Sequence, residues 1–446
     1  MRNSWRHHLA ARAPRYTSYP SALLFTNAVG SDAYAARLSA IAPYEPFSVY
    51  VHVPFCHRQC WYCGCNMRVE NNYDRALDYV SALLKEIETV GALLSGRGRL
   101  VSLHFGGGTP NYLNTDDLGR ILDAVELAMG LTDDATRAIE LDPRMVGEHD
   151  LDRLTALGFN RVSIGVQDFD PDVQAAINRE TSFETVEQCV SAARAAALND
   201  LSFDLLYGLP RQTTASFSET IDKVLALAPE RAAVFGYAHM PSVLPRQRLI
   251  DSADLPSPAA RAALAELADR RFCDAGYRRV GFDHYAKPGA PLADAAQAGR
   301  LRRNFQGFTE DAAAAIIGLG ASAVSFVDGL YAQNAKNIGA YKEMSSAGAL
   351  ATEKGYVRTP RDQLFAGVFE DLLCERPAAV DSALDALPSE RRARVLERLR
   401  ALQADGAVEW DGHHLKLADD AWPLARSVAA SLDPYCDEEA LFSAAL

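Results

Sequence analysis

The middle of the chain alternates short apolar stretches with longer stretches in which alanine and leucine recur at helical spacing. The apolar stretches predict six strands, Phe47–Val53, Leu100–Phe105, Ala138–Leu141, Arg161–Gln167, Ser202–Leu206 and Ala233–Tyr237. The stretches between them predict helices near Asp74–Leu94, Thr115–Met129, Asp150–Ala156, Glu184–Ala197 and Thr214–Leu227. Strands that alternate with helices form right-handed crossover units around a parallel sheet. The pattern therefore favours an α/β barrel, complete or partial, over an open doubly wound sheet.

Polar residues follow these predicted strands at the points where the strands end. They are Gly106–Thr109, Glu140, Gln167, Asp204 and Ala238–His239. A loop that contains four cysteines directly follows the first strand. Because the carboxyl ends of the strands carry the chemistry in parallel α/β barrels, we expect all of these residues to line one mouth.

We expect three parts in the chain. Residues 1–45 would form an N-terminal arm that covers the site. Residues 46–350 would form the catalytic barrel with a less regular extension, and residues 360–446 a small, mainly helical C-terminal domain.

The C-terminal domain combines helices at Arg361–Leu373 and Ser389–Ala404 with a hairpin around Asp411–Gly412, a strong two-residue turn signal. Helices with a hairpin suggest a winged-helix-like appendage. From residue 361 onward, however, the chain has 9 Lys and Arg against 17 Asp and Glu. So acidic a wing is a poor DNA reader, and a packing or covering role is favoured.

Composition narrows the class of protein. The 446 residues are 48% hydrophobic and 23% charged, as in ordinary globular proteins, and the net charge of −13 argues against a general nucleic-acid surface. No apolar run reaches the roughly 18–20 residues of a membrane span, and the basic N-terminus lacks the apolar segment of a secretory signal. The expected compartment is the cytoplasm, where thiols stay reduced.

Four of the eight cysteines stand in YVHVPFCHRQCWYCGCN (Tyr50–Asn66), spaced C-x3-C-x2-C-x-C. In a reducing compartment such a cluster indicates metal binding or catalysis. A zinc site and a redox pair at Cys60–Cys63 are alternatives, but structural zinc usually takes two separated ligand pairs, and the surroundings are not thioredoxin-like. Iron selects thiolates, and C-x3-C-x2-C offers three of them to a cubane cluster while one iron stays open. The spacing favours an iron–sulfur cluster.

C-x3-C-x2-C with Tyr62 before the third cysteine resembles the radical S-adenosylmethionine (SAM) enzymes. With the fourth cysteine, Cys65, the loop looks like the signature of one family among them, the oxygen-independent coproporphyrinogen III oxidases. Further similar motifs, in order, are PRYTSYP, HFGGGTPNYL, IELDPR, GFNRVSIGVQDF, DLLYGLPRQT, YAHMP, RNFQGF and YAQN. The resemblance covers nearly the whole chain and implies a partial parallel (β/α)6-type radical SAM barrel. Departures are modest: Trp61, Val324 where the family often has Ile, and a short segment before PRYTSYP.

The resemblance implies an oxidoreductase of haem biosynthesis. Two propionates of coproporphyrinogen III would be oxidatively decarboxylated to vinyl groups, giving protoporphyrinogen IX, by way of a 5′-deoxyadenosyl radical from SAM that is reductively cleaved at a [4Fe–4S] cluster. It also implies two SAM molecules, an electron donor and acceptor that the sequence does not identify, and a monomer.

The family pattern also implies roles for individual residues. Cys56, Cys60 and Cys63 would bind the cluster. Tyr50, Tyr62, Gly107, Gly108, Glu140, Ala238 and Val324 match positions around the first SAM. Gln167, Arg179 and Asp204 match a second SAM site, with Gly108 and Thr109 nearby and Cys65 near its sulfonium end. His52, Cys65 and Tyr50 are predicted to act in catalysis, His52 near the cluster or in proton handling.

The substrate carries four propionates, which favour arginine partners. Arg15, Arg302 and Arg303 lie in family motifs and are the candidates. Two rival functions remain at this stage. A haem chaperone or haem-degrading methyltransferase of the same superfamily is opposed by Cys65 and by the PRYTSYP and RNFQGF motifs. A non-enzymatic zinc module would be separated by metal analysis.

Overall fold

In the computed structural model, the described residues are Trp5 and residues 13–436. Residues 1–4 and 6–12 of the predicted arm, and residues 437–446 of the predicted C-terminal domain, lie outside them. The strands are β1 (Pro46–Val53), β2 (Phe55–Cys56), β3 (Arg68–Val69), β4 (Arg99–Gly107), β5 (Leu131–Leu141), β6 (Arg161–Gln167), β7 (Asp200–Tyr207), β8 (Arg231–Gly236), β9 (Arg278–Val280), β10 (His284–Ala286), β11 (Arg302–Asn304), β12 (Gly307–Thr309), β13 (Ala315–Leu319), β14 (Val324–Val327), β15 (Leu330–Asn334), β16 (Thr352–Val357), β17 (Ala378–Ala379), β18 (Val408–Trp410) and β19 (His414–Leu417).

The α-helices surround these strands. They are α1 (Ser31–Ala40), α2 (Tyr73–Leu94), α3 (Thr115–Met129), α4 (Asp150–Ala156), α5 (Pro171–Ala176), α6 (Phe183–Ala195), α7 (Thr214–Leu227), α8 (Pro258–Asp274), α9 (Pro291–Gln297), α10 (Ile338–Ser346), α11 (Pro360–Leu373), α12 (Asp381–Asp385), α13 (Ser389–Ala404) and α14 (Ala425–Leu432). Among the described residues, no helix combines the length and the apolar character that a membrane span requires.

Twelve strands form one sheet in the order β16-β15-β14-β13-β1-β4-β5-β6-β7-β8-β10-β9. The seven strands from β13 to β8 run parallel, and antiparallel strands extend the sheet beyond both. Within the described residues the sheet is open, with β16 and β9 at its edges. The predicted partial parallel barrel is confirmed. The six predicted strands are present, and β13 is an additional parallel strand beside β1.

Helix caps and strand burial explain why these segments fold locally as they do. The side chains of Asn114, Ser182 and Thr213 each accept a hydrogen bond from a first-turn backbone N–H at the starts of α3, α6 and α7. Such caps contribute about 1 kcal/mol each. Along β7, buried residues such as Phe203 alternate with half-buried ones such as Asp204, because one face of the strand is covered and the other faces the site.

Ion pairs lie at the end of the sheet where its parallel strands begin. Arg161 donates to Asp200 at 2.8 Å and Arg231 donates to the same carboxylate at 2.9 Å, and both arginines also contact Glu310. These residues begin β6, β7 and β8 or precede β13. Because this end is filled by paired charges, the opposite end carries the accessible mouth.

Hydrogen bonds join the arm to the C-terminal segment. Arg426 donates to the Pro14 carbonyl at 3.0 Å and to that of Ala13 at 2.5 Å, and the Tyr16 hydroxyl donates to Asp433 at 3.1 Å. The C-terminal segment contains α11 to α14 and a three-stranded sheet, β17-β19-β18, which includes the predicted hairpin. The exact domain limits stay a prediction.

Glu86 joins α2 to the strands on one side of the sheet. Its buried carboxylate accepts hydrogen bonds from the Gly320 N–H at 2.7 Å, the Asn334 amide at 2.6 Å and the Tyr341 hydroxyl at 2.6 Å. Burial raises the pKa of Glu86 to about 7. The three donors only partly offset the loss of hydration.

This raised pKa predicts a pH-dependent stability. The folded state binds the Glu86 proton more tightly than the unfolded state, so this contribution is fully present below about pH 4.5 and is lost as pH rises through 7. Between pH 5 and 8, wild type should lose up to about 3 kcal/mol of unfolding free energy relative to Glu86→Gln. Anaerobic urea titrations measure the difference. Glu88→Gln, an exposed position on the same helix, is the control, and equal pH profiles for wild type and Glu86→Gln would contradict the prediction.

Candidate functional site

The cysteine loop and the carboxyl ends of the parallel strands enclose one cavity of about 250 Å³, called the cofactor cavity below. Twelve of the predicted site residues line it: Cys56, Cys60, Tyr62, Cys63, Cys65, Gly107, Gly108, Thr109, Glu140, Gln167, Arg179 and Asp204. Four other described residues, Tyr50, His52, Ala238 and Val324, do not line it and lie elsewhere around the site. The structure thus brings together residues from β2, β4, β5, β6, β7 and the loops that follow.

Backbone hydrogen bonds fix the cysteine loop. Cys56 lies on β2, which pairs with β3. The Trp61 N–H donates to the Ile177 carbonyl at 3.0 Å, and the Cys63 N–H donates to the Cys60 carbonyl at 3.4 Å in a turn. The three predicted cluster ligands are therefore held by their own backbone around one space.

Two of the thiols contact polar groups from other segments of the chain. Cys56 Sγ lies 3.2 Å from Thr109 Oγ1, and Arg179 Nη1 donates to Cys60 Sγ at 3.6 Å. Burial raises the pKa of the Cys56 thiol to about 12. These contacts tie the loop to the end of β4 and to the segment after α5.

Cys65 is hydrogen-bonded to Cys63. Its backbone N–H donates to Cys63 Sγ at 3.4 Å, and the hydrogen bond from its side chain lowers the pKa of Cys63 to about 6 while raising the pKa of Cys65. Arg246 donates to the Cys65 carbonyl at 3.0 Å. The C-x-C spacing thus places the fourth thiol against the third.

Glycines let β4 approach the cysteine loop and the end of β5. A Cβ on Gly108 would lie 2.8 Å from the Phe55 carbonyl oxygen and 3.1 Å from Cys56 Sγ. A Cβ on Gly106 would lie 2.8 Å from Glu140 Oε1. Any larger residue would push the cysteine strand or the carboxylate out of place.

The donor set fits a cluster and a polar cofactor beside it. Four thiols line one cavity, three of them those of the predicted ligands, and thiolates are the ligands that iron–sulfur clusters use. No three His, Cys, Asp or Glu side chains in the described part of the chain lie close enough to hold a single metal ion. Gln167 Oε1 and Arg179 Nε are buried without a hydrogen-bond partner among the described residues, so the same cavity offers unmatched polar atoms to a ligand.

Arg179 is buried where its charge faces several acceptors. Its Nη1 lies 3.3 Å from Asp142 Oδ2, and its Nη2 donates to the Gly165 carbonyl at 2.7 Å. Although burial opposes the charge, Tyr62, Asp142 and Cys60 raise the pKa of Arg179. Arg179 is therefore a fixed cation in the wall of the cofactor cavity rather than a solvated surface charge.

Asp204 lies at the carboxyl-terminal part of β7, where it accepts from Ser163 Oγ at 3.2 Å. Burial, followed by the nearby charge of Glu140, raises the pKa of Asp204 to about 6. Glu140 itself accepts from His104 Nε2 at 3.1 Å, and its side chain is 41% exposed. The two carboxylates give one side of the cavity a negative rim opposite Arg179.

A chain of hydrogen bonds fixes the tautomer of His52. Its Nε2 donates to the Asn66 carbonyl at 2.9 Å, so Nδ1 accepts from the Tyr50 hydroxyl at 3.0 Å. Burial lowers the pKa of His52 and keeps the ring neutral. A Cβ on Gly107 would lie 2.9 Å from the ring. The glycine therefore leaves the room that the imidazole occupies.

Removing the Tyr50 hydroxyl should destabilise the protein. In Tyr50→Phe the buried Nδ1 of His52 loses its donor, which is expected to lower the unfolding free energy by about 1–3 kcal/mol. Urea unfolding under anaerobic conditions measures it. Tyr44→Phe is the matched control, because the Tyr44 side chain is 84% exposed. The same midpoint in both variants would show that the hydrogen bond carries no stability.

Gln247 is a positioning residue that the sequence did not reveal. Its Nε2 donates to the Tyr62 carbonyl at 2.9 Å and to the Ala238 carbonyl at 3.0 Å, which joins two predicted cofactor positions. Val324 begins β14, where its backbone lies against Gly318.

Other lining residues follow from signals in the sequence. Ser163 lies two residues before Gly165 and four before Gln167 on β6, so the period of two along a strand places it on their face. Asp142 belongs to the IELDPR motif and pairs with Arg144 at 2.5 Å. Gln247, by contrast, stands in an irregular segment without a periodic pattern.

Comparisons with known proteins find relatives that are similar over nearly the whole chain. Residues 50–224 match the model of the Radical SAM superfamily. Over 440 residues the chain is 40% identical to anaerobic coproporphyrinogen III oxidase 1 of Cereibacter sphaeroides, covering 98% of this chain and 97% of that protein. Over 432 residues it is 37% identical to the oxygen-independent coproporphyrinogen III oxidase of Escherichia coli, covering 96% and 94%.

A solved structure extends this similarity to the fold. Coproporphyrinogen III oxidase from Escherichia coli, described as a radical SAM enzyme, matches with a TM-score of 0.88 at 37% identity. The match covers 94% of this chain and 97% of that one.

Proposed function

The chain belongs to the oxygen-independent coproporphyrinogen III oxidases of the radical SAM superfamily, and from this premise we propose which of its residues carry the reaction. It is an oxidoreductase of haem biosynthesis that decarboxylates two propionates of coproporphyrinogen III to vinyl groups, giving protoporphyrinogen IX. Its cofactors are a [4Fe–4S] cluster and SAM. When bound, they supply the 5′-deoxyadenosyl radical that removes a hydrogen atom from a propionate.

The proposed cluster ligands are Cys56, Cys60 and Cys63. The observation that carries this proposal is that their thiols line one cavity with the glycine turn after β4. Arg179 stabilises negative charge at Cys60 through its hydrogen bond of 3.6 Å.

We propose that the first SAM lies between the glycine turn and the end of β5. Gly107, Gly108 and Thr109 offer backbone without bulk, and the half-exposed Glu140 offers a carboxylate to an amino or ribose group. Tyr62 lines the cavity beside this ligand, and Ala238, Tyr50 and Val324 would support it from behind the lining. Gln247 supports the positions of Tyr62 and Ala238 by bonding to both carbonyls.

A second SAM is proposed at Gln167, Arg179 and Asp204. The unmatched atoms Gln167 Oε1 and Arg179 Nε support a polar ligand there, and Asp204 supplies the opposite charge. Cys65 would face the reacting end of this ligand. The hydrogen bond from the Cys65 backbone N–H to Cys63 Sγ supports a position for this residue beside the cluster.

His52 and Tyr50 are proposed to hold a proton near the cluster. The neutral imidazole accepts at Nδ1 from the Tyr50 hydroxyl, so the pair can pass a proton along one defined hydrogen bond. Both residues lie outside the lining of the cofactor cavity, and His52 is buried.

The remaining expectations concern the setting of the enzyme. We propose a cytoplasmic monomer that takes electrons from a donor of unknown identity, passes one to an unknown acceptor, and binds neither nucleic acid nor membrane. The four cysteines clustered in one short loop support a reducing compartment. The division into arm, barrel and C-terminal domain is likewise a proposal, supported by the contacts of Arg426 with the arm.

An anaerobic assay tests the proposal as a whole. The reconstituted enzyme is incubated with SAM, a chemical reductant and coproporphyrinogen III, and protoporphyrinogen IX and 5′-deoxyadenosine are followed together. Both should appear in proportion, and neither should appear without SAM. A fully cluster-loaded enzyme that forms no protoporphyrinogen IX would overturn the function.

A further inference from the structure

A second cavity of about 190 Å³ adjoins the cofactor cavity. Phe235 lines both, so they share a wall. Three arginines line the second cavity: Arg15 from the arm, Arg303 from β11 and Arg426 from α14. We call this the arginine cavity. Segments far apart in the chain bring three positive charges to it.

Arg303 is held in a fixed orientation. Its guanidinium lies over the rings of Phe282 and Phe308, 4.7 and 4.5 Å from their centroids, and its Nη2 donates to the Arg15 carbonyl at 3.2 Å. Its Nε and Nη1 are buried and have no hydrogen-bond partner among the described residues. Two charged donors, on different edges of the guanidinium, thus await acceptors, and a carboxylate oxygen forms a strong hydrogen bond with such a donor.

The other two arginines are anchored through backbone carbonyls. Arg15 Nη2 donates to the Gly236 carbonyl at 2.9 Å, and Arg426 Nε donates to the Pro14 carbonyl at 3.0 Å. A carbonyl orients a guanidinium but does not neutralise its charge, so the carbonyls that Arg15 and Arg303 contact leave their positive charge at the cavity.

One carboxylate in the lining, Asp283, opposes these charges, and it is already bonded to His284 Nδ1 at 2.6 Å. Burial, followed by the neighbouring charges of Arg15 and Arg303, lowers the pKa of Arg426 to about 10. Burial also lowers the pKa values of Arg15 and Arg303. A bound anion would offset the positive charge of the arginines that line the cavity.

Size and location decide which anion fits. The volume of about 190 Å³ is below the roughly 300–1,000 Å³ of pockets that enclose a whole drug-sized ligand, so the cavity suits one limb of a larger molecule. The larger molecule must also reach the cofactor cavity across Phe235. A tetrapyrrole with four propionates meets both conditions.

We propose that the arginine cavity binds the carboxylate of one propionate of coproporphyrinogen III, other than the propionate that is reacting at the cofactor cavity. This inference rests on the proposed function and deepens it. The anchored propionate fixes the macrocycle so that a second one faces the site of hydrogen removal. Because Arg15 and Arg426 belong to the arm and the C-terminal segment, both segments build the substrate site directly.

The test uses Arg303→Gln, since Arg303 has the unmatched donors. Binding of coproporphyrin III, the stable fluorescent analogue with the same four propionates, is titrated to cluster-loaded enzyme. The Kd should rise about ten- to hundredfold, the loss expected for one charge-assisted hydrogen bond. KM for coproporphyrinogen III should rise similarly while iron content and KM for SAM stay at wild-type values. Arg394→Gln, which removes an exposed arginine of α13, is the control and should change neither constant.

Arg303→Lys guards against a folding defect, because it keeps the charge and the stem while losing the planar fork. It should fold as wild type and bind coproporphyrin III with an intermediate Kd. Wild-type Kd in both Arg303 variants would overturn the inference, even if the enzyme makes protoporphyrinogen IX. A wild-type enzyme that binds coproporphyrin III but forms no product would overturn the function and leave the titration to decide the cavity.

Discussion

Replacing Cys60 by serine is expected to remove the bound iron and sulfide and to abolish formation of both 5′-deoxyadenosine and protoporphyrinogen IX. The hydroxyl of serine does not ionise near neutral pH and is a harder ligand than the thiolate that iron selects. Cys60 is buried, and its sulfur also accepts from Arg179. Its loss therefore leaves a gap in the ligand set and an arginine without that acceptor. Iron and sulfide analysis after anaerobic reconstitution measures the effect.

Cys65→Ser should behave differently, because Cys65 is not one of the three proposed ligands, and the hydrogen bond from its backbone N–H to Cys63 Sγ is kept in the variant. We expect it to retain most of its iron and to lose turnover. Cys273→Ser, an exposed position on α8, should match wild type in both measurements. If Cys65→Ser loses the cluster as Cys60→Ser does, the division into three ligands and one further thiol is wrong.

Periodicity predicted the six parallel strands because buried strands in an α/β fold are short, apolar and bounded by turns. It placed the start of β5 at Ala138, whereas the strand begins at Leu131. The segment before Ala138 is polar, and its extended form comes from pairing with β4, where Ser102 lies opposite Thr136. Local sequence carries no signal for such a partner. β13 was missed for a related reason, since a glycine-rich stretch predicts turns as readily as a strand.

The propionate candidates show a second limit of sequence reasoning. Arg302 and Arg303 are adjacent on β11, so their side chains leave opposite faces of the strand. Arg302 pairs with Glu370 at 3.0 Å, whereas Arg303 faces the arginine cavity. The period of two along a strand does not say which of the two faces the arginine cavity. Arg426 lies in no recognised motif, and only the fold brings it beside Arg15.

The site shows the same distinction. Residues at strand ends, such as Glu140 and Asp204, could be located from topology because parallel strands share one carboxyl edge. Gln247 could not, since its role depends on two carbonyls from separate segments. The tautomer of His52 likewise depends on the Asn66 carbonyl, which a loop delivers. Motifs therefore predict the candidate ligands, whereas the groups that orient them required the structure.

Adding one methyl group at Gly108 is expected to reduce turnover about a hundredfold or more. The new Cβ would lie 2.8 Å from the Phe55 carbonyl oxygen and 3.1 Å from Cys56 Sγ. Backbone is the nearest neighbour, so the contact cannot be relieved by a side-chain rotation, and the strand that carries Cys56 must move away from the end of β4. A shift of about 1 Å in a reacting group can lower a rate by that factor.

Gly64→Ala is the matched control in the same loop region. Its Cβ would meet only Leu244 Cδ1 at 3.7 Å, an ordinary van der Waals contact, so we expect near-normal iron content and rate. For Gly108→Ala, overpacking should also lower the unfolding free energy by about 1–3 kcal/mol, which an anaerobic urea titration detects. The ratio of 5′-deoxyadenosine to bound iron then separates a lost cluster from a misplaced one. If Gly108→Ala and Gly64→Ala turn over equally, the close approach of β4 to the cysteine strand is not what positions the cofactors.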